Sequence, residues 1–284
     1  MAFGTIFKQT LLRVQGKKLS VENLASSYDR ISTNYTSIFN SQYQDNYFDL
    51  FKRLGEVNNK IILDLGCGTA WLGQLLSSTY SPLLYHGIDI STGMIHEARK
   101  TLAEYSKVKI EHGDFQEILK QIPEASYDIV FLTWSLKFNN IDKLLTKIIR
   151  VLKPGGKLAI LTETTDSDLE VNTPLQKLIA NNINNVVLAL PKTYLPQDCR
   201  HLTYFLNEAG FKQTIVWQKS AVHNFSSVNQ LAAWTRESGL LAAWEQIIDF
   251  EDIQLINEFH TLLGQTSPEN LSVKRKFLGS IARK

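Results

Sequence analysis

At 284 residues the chain can bury one large α/β core with appendages. Its 30 Lys and Arg against 28 Asp and Glu leave a formal charge of +2, without the broad basic field that nucleic acid needs, so a small molecule is the expected partner. Cys67 and Cys199 are the only cysteines and neither has metal spacing, which fits a reducing, cytoplasmic setting. Apolar runs such as 185–190 fall far short of the ~18 residues a bilayer span requires.

The first 20 residues hold Lys8, Arg13, Lys17 and Lys18 with no acid before Glu22, a basic amphipathic pattern that could touch a membrane surface; an exposed helix packed on the domain is the favoured reading. From Glu22 to Phe51, Tyr28, Ile31, Tyr35, Ile38 and Phe39 and then Tyr47, Phe48, Leu50 and Phe51 recur at helical spacing, so helices precede the first strand. The stretch Ile61 to Gly73 organises the rest of the chain. Ile61, Ile62, Leu63 and Leu65 form a buried strand, Gly66 and Gly68 a bare tight turn, and a helix begins near Trp71. A dinucleotide fingerprint wants a third glycine where Trp71 stands, and no Gly-Lys-Ser/Thr follows to make a P-loop.

Strand–helix units continue. Leu83 to Asp89 is a second strand, and Asp89, about 20 residues past the turn, stands where an acid can accept from a ribose diol. Ser91 caps a helix over Met94 to Tyr105, with Met94 placed to lie against an adenine. Val108 to His112, Tyr127 to Thr133 and Lys157 to Thr162 are further strands, the last entered through a Pro154-Gly155 turn after helix Ile141 to Val151. Pro174 to Leu190 is expected to be a helix opened by its proline, as are Gln197 to Ala209 before a strand Phe211 to Lys219, and Leu240 to Leu263 before a closing strand Lys276 to Ala282.

Asp64-x-Gly66-x-Gly68 resembles motif I of the class I, Rossmann-like S-adenosylmethionine-dependent methyltransferases, with Ala70 in the usual third small position. Asp114-Phe115 after the third strand, Trp134 to Phe138 after the fourth, and Val151-Leu-Lys-Pro-Gly-Gly-Lys-Leu158 succeed it at one-unit spacing, and Tyr28-Asp29-Arg30 with Tyr35 resembles a segment that precedes the core in small-molecule members. Phe225 to Trp234 is similar to a helix of the small carboxylic acid methyltransferases.

The resemblance implies a seven-stranded, mostly parallel sheet with helices on both faces. A helical cap is expected over 1–55 and the Rossmann-like domain over 56–284, with helical insertions at about 164–195 and 224–270. S-adenosylmethionine is the implied cofactor, leaving S-adenosylhomocysteine. Its implied contacts are Asp64, Gly66, Cys67, Gly68, Asp89, Ile90, Met94, Asp114, Phe115, Thr133, Trp134, Tyr28 and Tyr35. In the family, the acid after the third strand accepts from the adenine amino group and the next side chain flanks the base, positions filled here by Asp114 and Phe115. Ser135, Lys137, Tyr194 and His201 are the expected substrate contacts. Lys137, His201 and His223 are candidates for proton transfer, each equally a solvated side chain. No metal is expected, because the carboxylate set of the metal-dependent members has no counterpart at Trp134 or Glu163. Methyl transfer to O, N or C of a small acceptor is the leading reading. A binding module without turnover and a nicotinamide-dependent reductase are the alternatives, and Trp71 opposes the latter.

Overall fold

The computed structural model describes residues 3–266 and 271–284. In chain order the elements are α1 (Phe3–Val14), α2 (Val21–Ile38), α3 (Gln44–Leu54), β1 (Ile61–Leu65), α4 (Trp71–Thr79), β2 (Leu84–Asp89), α5 (Thr92–Thr101), β3 (Val108–His112), α6 (Phe115–Gln121), β4 (Tyr127–Thr133) and α7 (Ile141–Val151). They continue with β5 (Leu152–Glu163), α8 (Leu169–Asn181), α9 (Cys199–Glu208), β6 (Lys212–Asn224), α10 (Val228–Glu237), α11 (Ile253–Thr266) and β7 (Ser272–Arg283). Two compact units result. One comprises Ser32–Thr165, Thr193–Lys219 and Lys276–Lys284, and the other Met1–Ile31, Asp166–Lys192 and Ser220–Arg275.

The first unit is built on a seven-stranded sheet in the order β3-β2-β1-β4-β5-β7-β6. Neighbours from β3 to β5 run parallel, and β7 returns antiparallel to β5 with Leu158 opposite Ala282. Strand alternation sorts side chains to two faces. Leu63, Leu65, Ile88, Val130, Leu132, Leu158 and Ile160 pack with Leu144, Leu145 and Ile148 of α7 and Leu202 and Leu206 of α9. On the other face Phe131 meets Phe51 of α3, and Tyr85 fills the space that the missing side chain of Gly73 leaves on α4. Helices therefore cover both faces, as parallel strands require. Burying the central strands β1, β2 and β4 from both sides points to the strand ends, where these three break into loops, as the place for chemistry.

Three expected elements differ. Pro154 and Gly155 do not end in a separate strand: β5 already begins at Leu152, and Lys153 to Gly156 bulge out between the pairs Tyr127–Leu152 and Ile129–Lys157. Gly155 supplies a φ of +76°, and Lys284 bonds the backbone of Gly155 and Gly156, so the bulge stays paired.

In the second unit Pro174 lies inside α8, not at its start; the helix opens a turn earlier, at Leu169, and ends at Asn181 instead of Leu190. Val171, Pro174, Leu175 and Leu178 make its buried face, so packing outweighs the hydrogen bond that proline cannot donate. The expected helix from Leu240 is broken: Gly239 and Ala243 adopt φ of +82° and +74°, and α11 starts only at Ile253.

Candidate functional site

The turn after β1 is held by its neighbour strand. Gly66 and Cys67 both donate to the Ile88 carbonyl, at 2.9 and 3.0 Å, which folds the backbone tightly over the end of β2. Gly66 has φ +76°, and a Cβ there would stand 2.6 Å from Cβ of Ser135, whose hydroxyl donates to the Leu65 carbonyl at 2.6 Å. Phe115 lies next to the same point, 3.8 Å from it. Gly68 is more open: a Cβ would first meet Sδ of Met94 at 3.9 Å and the Tyr35 ring at 4.0 Å. The Cys67 thiol is buried against Gly87, and burial, then Asp89 and Asp64, push its pKa well up, so it stays protonated.

The acids at the strand ends are not alike. Asp89 accepts from the Gly68 N–H with Oδ2 and from the Ser91 N–H with Oδ1, both at 2.9 Å, and so fastens the glycine turn to the start of α5. Ser91 in turn caps α5 by accepting from Met94 at 3.0 Å. Asp114 caps α6 through Gln116 at 2.7 Å, so this acid already serves the helix. Asp64 is buried, 1% exposed, and receives the Tyr85 hydroxyl on Oδ2 at 2.6 Å. Its Oδ1 is buried and has no hydrogen-bond partner among the described residues. Burial, opposed by the Tyr85 bond and aided by Asp89, raises its pKa to about 7. An unsatisfied carboxylate oxygen in so dry a place is costly unless a donor or cation arrives to meet it.

The loop after β4 begins in strain. Trp134 holds φ +59° while its N–H donates to Leu161, and its indole packs at 5.0 Å on Tyr43, 5.4 Å on Phe277 and 5.6 Å on Phe39. Tyr35 stacks on Phe39 at 5.1 Å, and Thr36 shares a 2.6 Å hydrogen bond with Thr69 of the glycine turn. The later part of α2 is thereby fixed to that turn. Thr133 is buried at the end of β4. The Ile90 carbonyl accepts from His112 at 2.9 Å.

A glycine turn flanked by two strand-end acids, with an acid and an aromatic after the third strand, matches what known sequences show. The family described as "Methyltransferase domain" matches residues 62–156, which span the turn and all three acids. The chain is 30% identical over 174 residues to the demethylmenaquinone methyltransferase of Lactococcus lactis, covering 58% of this chain and 68% of the relative. The chain belongs to the class I S-adenosylmethionine-dependent methyltransferases. Trans-aconitate 2-methyltransferase of Escherichia coli O1:K1 is 27% identical over 222 residues, 78% of this chain and 83% of that protein. The fold is shared with the YcgJ protein of Bacillus subtilis, at a TM-score of 0.58 and 14% identity over 85% of this chain and 99% of that one. It is shared too with a phosphoethanolamine N-methyltransferase of Haemonchus contortus solved with S-adenosylhomocysteine, at 0.57 and 19% identity over 90% of this chain and 57% of that one.

In this methyltransferase the structure gathers Asp64, Gly66, Gly68, Asp89, Met94, Phe115, Ser135 and Tyr35 about one turn. Cys67 lies within that turn, Asp114 immediately precedes Phe115 as the cap of α6, and Trp134 immediately precedes Ser135 after β4. Lys137 stands 5.5 Å over its neighbour Phe138, and its carbonyl accepts from the Tyr194 N–H, which brings those two substrate candidates together. His201 sits in the first turn of α9, its Nδ1 accepting from Gln197 and its ring 4.5 Å from Phe205. Tyr28 and His223 belong to the second unit. His223 packs 5.0 Å from Trp234, and burial, then Arg275, lowers its pKa. Among the described residues no group of three or more His, Cys, Asp or Glu side chains is placed to hold a metal.

Tyr85, the hydrogen-bond partner of Asp64, is not among the contacts expected from sequence. Its signal was a tyrosine in a buried strand, whose hydroxyl must find a partner. The aromatic packing of Phe39, Tyr43 and Phe277 about Trp134 was equally hidden, because it joins residues from opposite ends of the chain.

Proposed function

We propose that this S-adenosylmethionine-dependent methyltransferase acts on oxygen, nitrogen or carbon of a small-molecule acceptor that brings its own nucleophile. The observation that carries the proposed cofactor seat is the buried Oδ1 of Asp64, without a hydrogen-bond partner among the described residues, beside a glycine turn that is open at Gly68, where a Cβ would meet nothing nearer than 3.9 Å. Those residues fit the cofactor. Asp89 would take the ribose hydroxyls, Asp114 the adenine amino group with Phe115 beside the base, and Asp64 the ammonium group. S-adenosylmethionine, when bound, supplies an electrophilic methyl group on its sulfonium.

The chain's own work is then to orient and to exclude water. Holding two reactants aligned is worth roughly 7–11 kcal/mol, so a dedicated base is unnecessary for an acceptor that is already a carboxylate, phenolate or neutral amine. Trp134-Ser-Leu-Lys-Phe138, the loop after β4, has neither histidine nor carboxylate, which favours such an acceptor. The relatives named for trans-aconitate and demethylmenaquinone support a small acceptor, as does the near-neutral charge.

The test is an acceptor screen scored by S-adenosylhomocysteine release, beginning with unsaturated polycarboxylates and hydroquinones. Turnover of a small acceptor is expected. Release only with protein or nucleic acid would refute the reading.

A further inference from the structure

Thirteen large apolar side chains are exposed among the described residues, and five of them, Ile6, Phe7, Leu11, Val14 and Val21, fall within 16 positions of the amino-terminal part of the chain's second unit. Scattered exposed apolar residues are ordinary, but a contiguous set signals a contact. Four of the five lie on α1, with Val14 80%, Phe7 64%, Ile6 54% and Leu11 40% exposed. With 3.6 residues per turn these four span an arc of about 140°, and Arg13 and Lys8 border it on either side. Thr10, inside the arc, donates its hydroxyl to the Ile6 carbonyl at 2.9 Å and so hides its polarity. The opposite face is spent on folding: Leu12 and Gln9 are buried, Gln9 Oε1 accepts from the Leu190 N–H at 2.7 Å, and the Lys17 carbonyl accepts from Ala189 at 2.8 Å. The helix is thus anchored with its apolar side outward.

Charge decides what that side meets. Arg13, Lys17 and Lys18 are exposed and Lys8 half-buried. None of the four makes an ion pair among the described residues, and the first acid in the chain is Glu22. A second copy of the same face would set cations against cations, and a nucleic acid would leave the apolar arc in water.

We propose that the outer face of α1 docks the enzyme on an anionic lipid surface, with Ile6, Phe7, Leu11 and Val14 at the acyl boundary and Lys8, Arg13, Lys17 and Lys18 against headgroup phosphates. No described helix is long and apolar enough to cross a membrane, so the helix lies on the surface.

Flotation of the full chain with vesicles tests this, using phosphatidylcholine alone and phosphatidylcholine mixed with an equal part of phosphatidylglycerol. Each cation near an anionic surface is worth about fivefold in partitioning, so the mixed vesicles should bind at least about tenfold more strongly. About 1 M salt, with a screening length of about 3 Å, should abolish the difference. K17E/K18E should lower binding by about tenfold or more on the same scale, and F7E/L11E should reduce it to the level of phosphatidylcholine alone. Both variants alter exposed side chains only, and retained helical circular dichroism and S-adenosylhomocysteine binding verify their folding. No retention on anionic vesicles, or retention that neither variant changes, overturns the proposal. So does size-exclusion behaviour in which the wild type is a dimer, F7E/L11E a monomer, and vesicles are ignored.

Discussion

Two aspartates, one in each unit, are almost equally dry and are treated in opposite ways. Asp168, 2% exposed, holds Nε of Arg275 at 3.0 and 3.2 Å and the Ser167 hydroxyl at 2.7 Å, and Arg275 is itself 1% exposed. Its charge is answered within the chain. Asp64, 1% exposed, has one tyrosine hydroxyl and, among the described residues, no cation paired with it, and its pKa is raised to about 7 by burial. A buried carboxylate with an internal counter-ion is part of the architecture, whereas one without it suits the role proposed for Asp64, meeting a charge from outside.

The contrast is broken most severely at the turn itself. Gly66→Val places a branched side chain at φ +76° and 2.6 Å from Ser135, so S-adenosylhomocysteine binding should vanish from calorimetry while the far-ultraviolet circular dichroism persists. Full affinity would mean the turn only shapes the chain. Asp168→Ala deprives the buried Arg275 charge of this carboxylate and should cost about 3–5 kcal/mol in urea unfolding. A loss near zero would place the pair outside the architecture.

Asp64→Asn should do the reverse. A raised carboxyl pKa makes the folded state hold a proton that the unfolded state releases, so the stability of the free enzyme is greatest below about pH 4 with respect to this group and declines until about pH 7. Asparagine should remove that decline, which urea titrations at several pH values read directly. Asp89→Ala loses the proposed sugar contact and the two backbone bonds that fix the turn, and should weaken the cofactor about 30- to 100-fold, or roughly 2–3 kcal/mol. Tyr85→Phe keeps the ring beside Gly73 but removes the hydroxyl that favours ionised Asp64. Its effect should be smallest: an upward displacement of the binding midpoint by up to about one pH unit, with near-normal affinity at high pH. An equal loss at every pH would make Tyr85 a packing residue only.

Most of the sheet was legible because its signals have local causes. A glycine that must hold φ of +76°, a serine that caps α5 and an apolar strand run are each settled within a few residues. The second unit was read less well, since its helices answer to burial and not to local grammar. Pro174 is tolerated in mid-helix because its neighbours pack, and Leu240, Leu241, Ile247 and Ile248 are buried although the chain around them turns instead of coiling. Within the candidate site, the glycine turn and acids could be read from spacing. The Tyr85–Asp64 bond could not, because it depends on the register between β1 and β2, which pairs Ile62 with Tyr85.

Titration calorimetry of S-adenosylhomocysteine against the wild type and Asp64→Asn, from about pH 5.5 to 7.5, bears most directly on the assignment of Asp64. A carboxylate that must be ionised to hold the ligand's ammonium, with a pKa of about 7, should tighten wild-type binding about 20- to 30-fold across that range. The asparagine variant should bind weakly and without that slope. Wild-type affinity that ignores pH, or an asparagine variant that binds equally well, would contradict it.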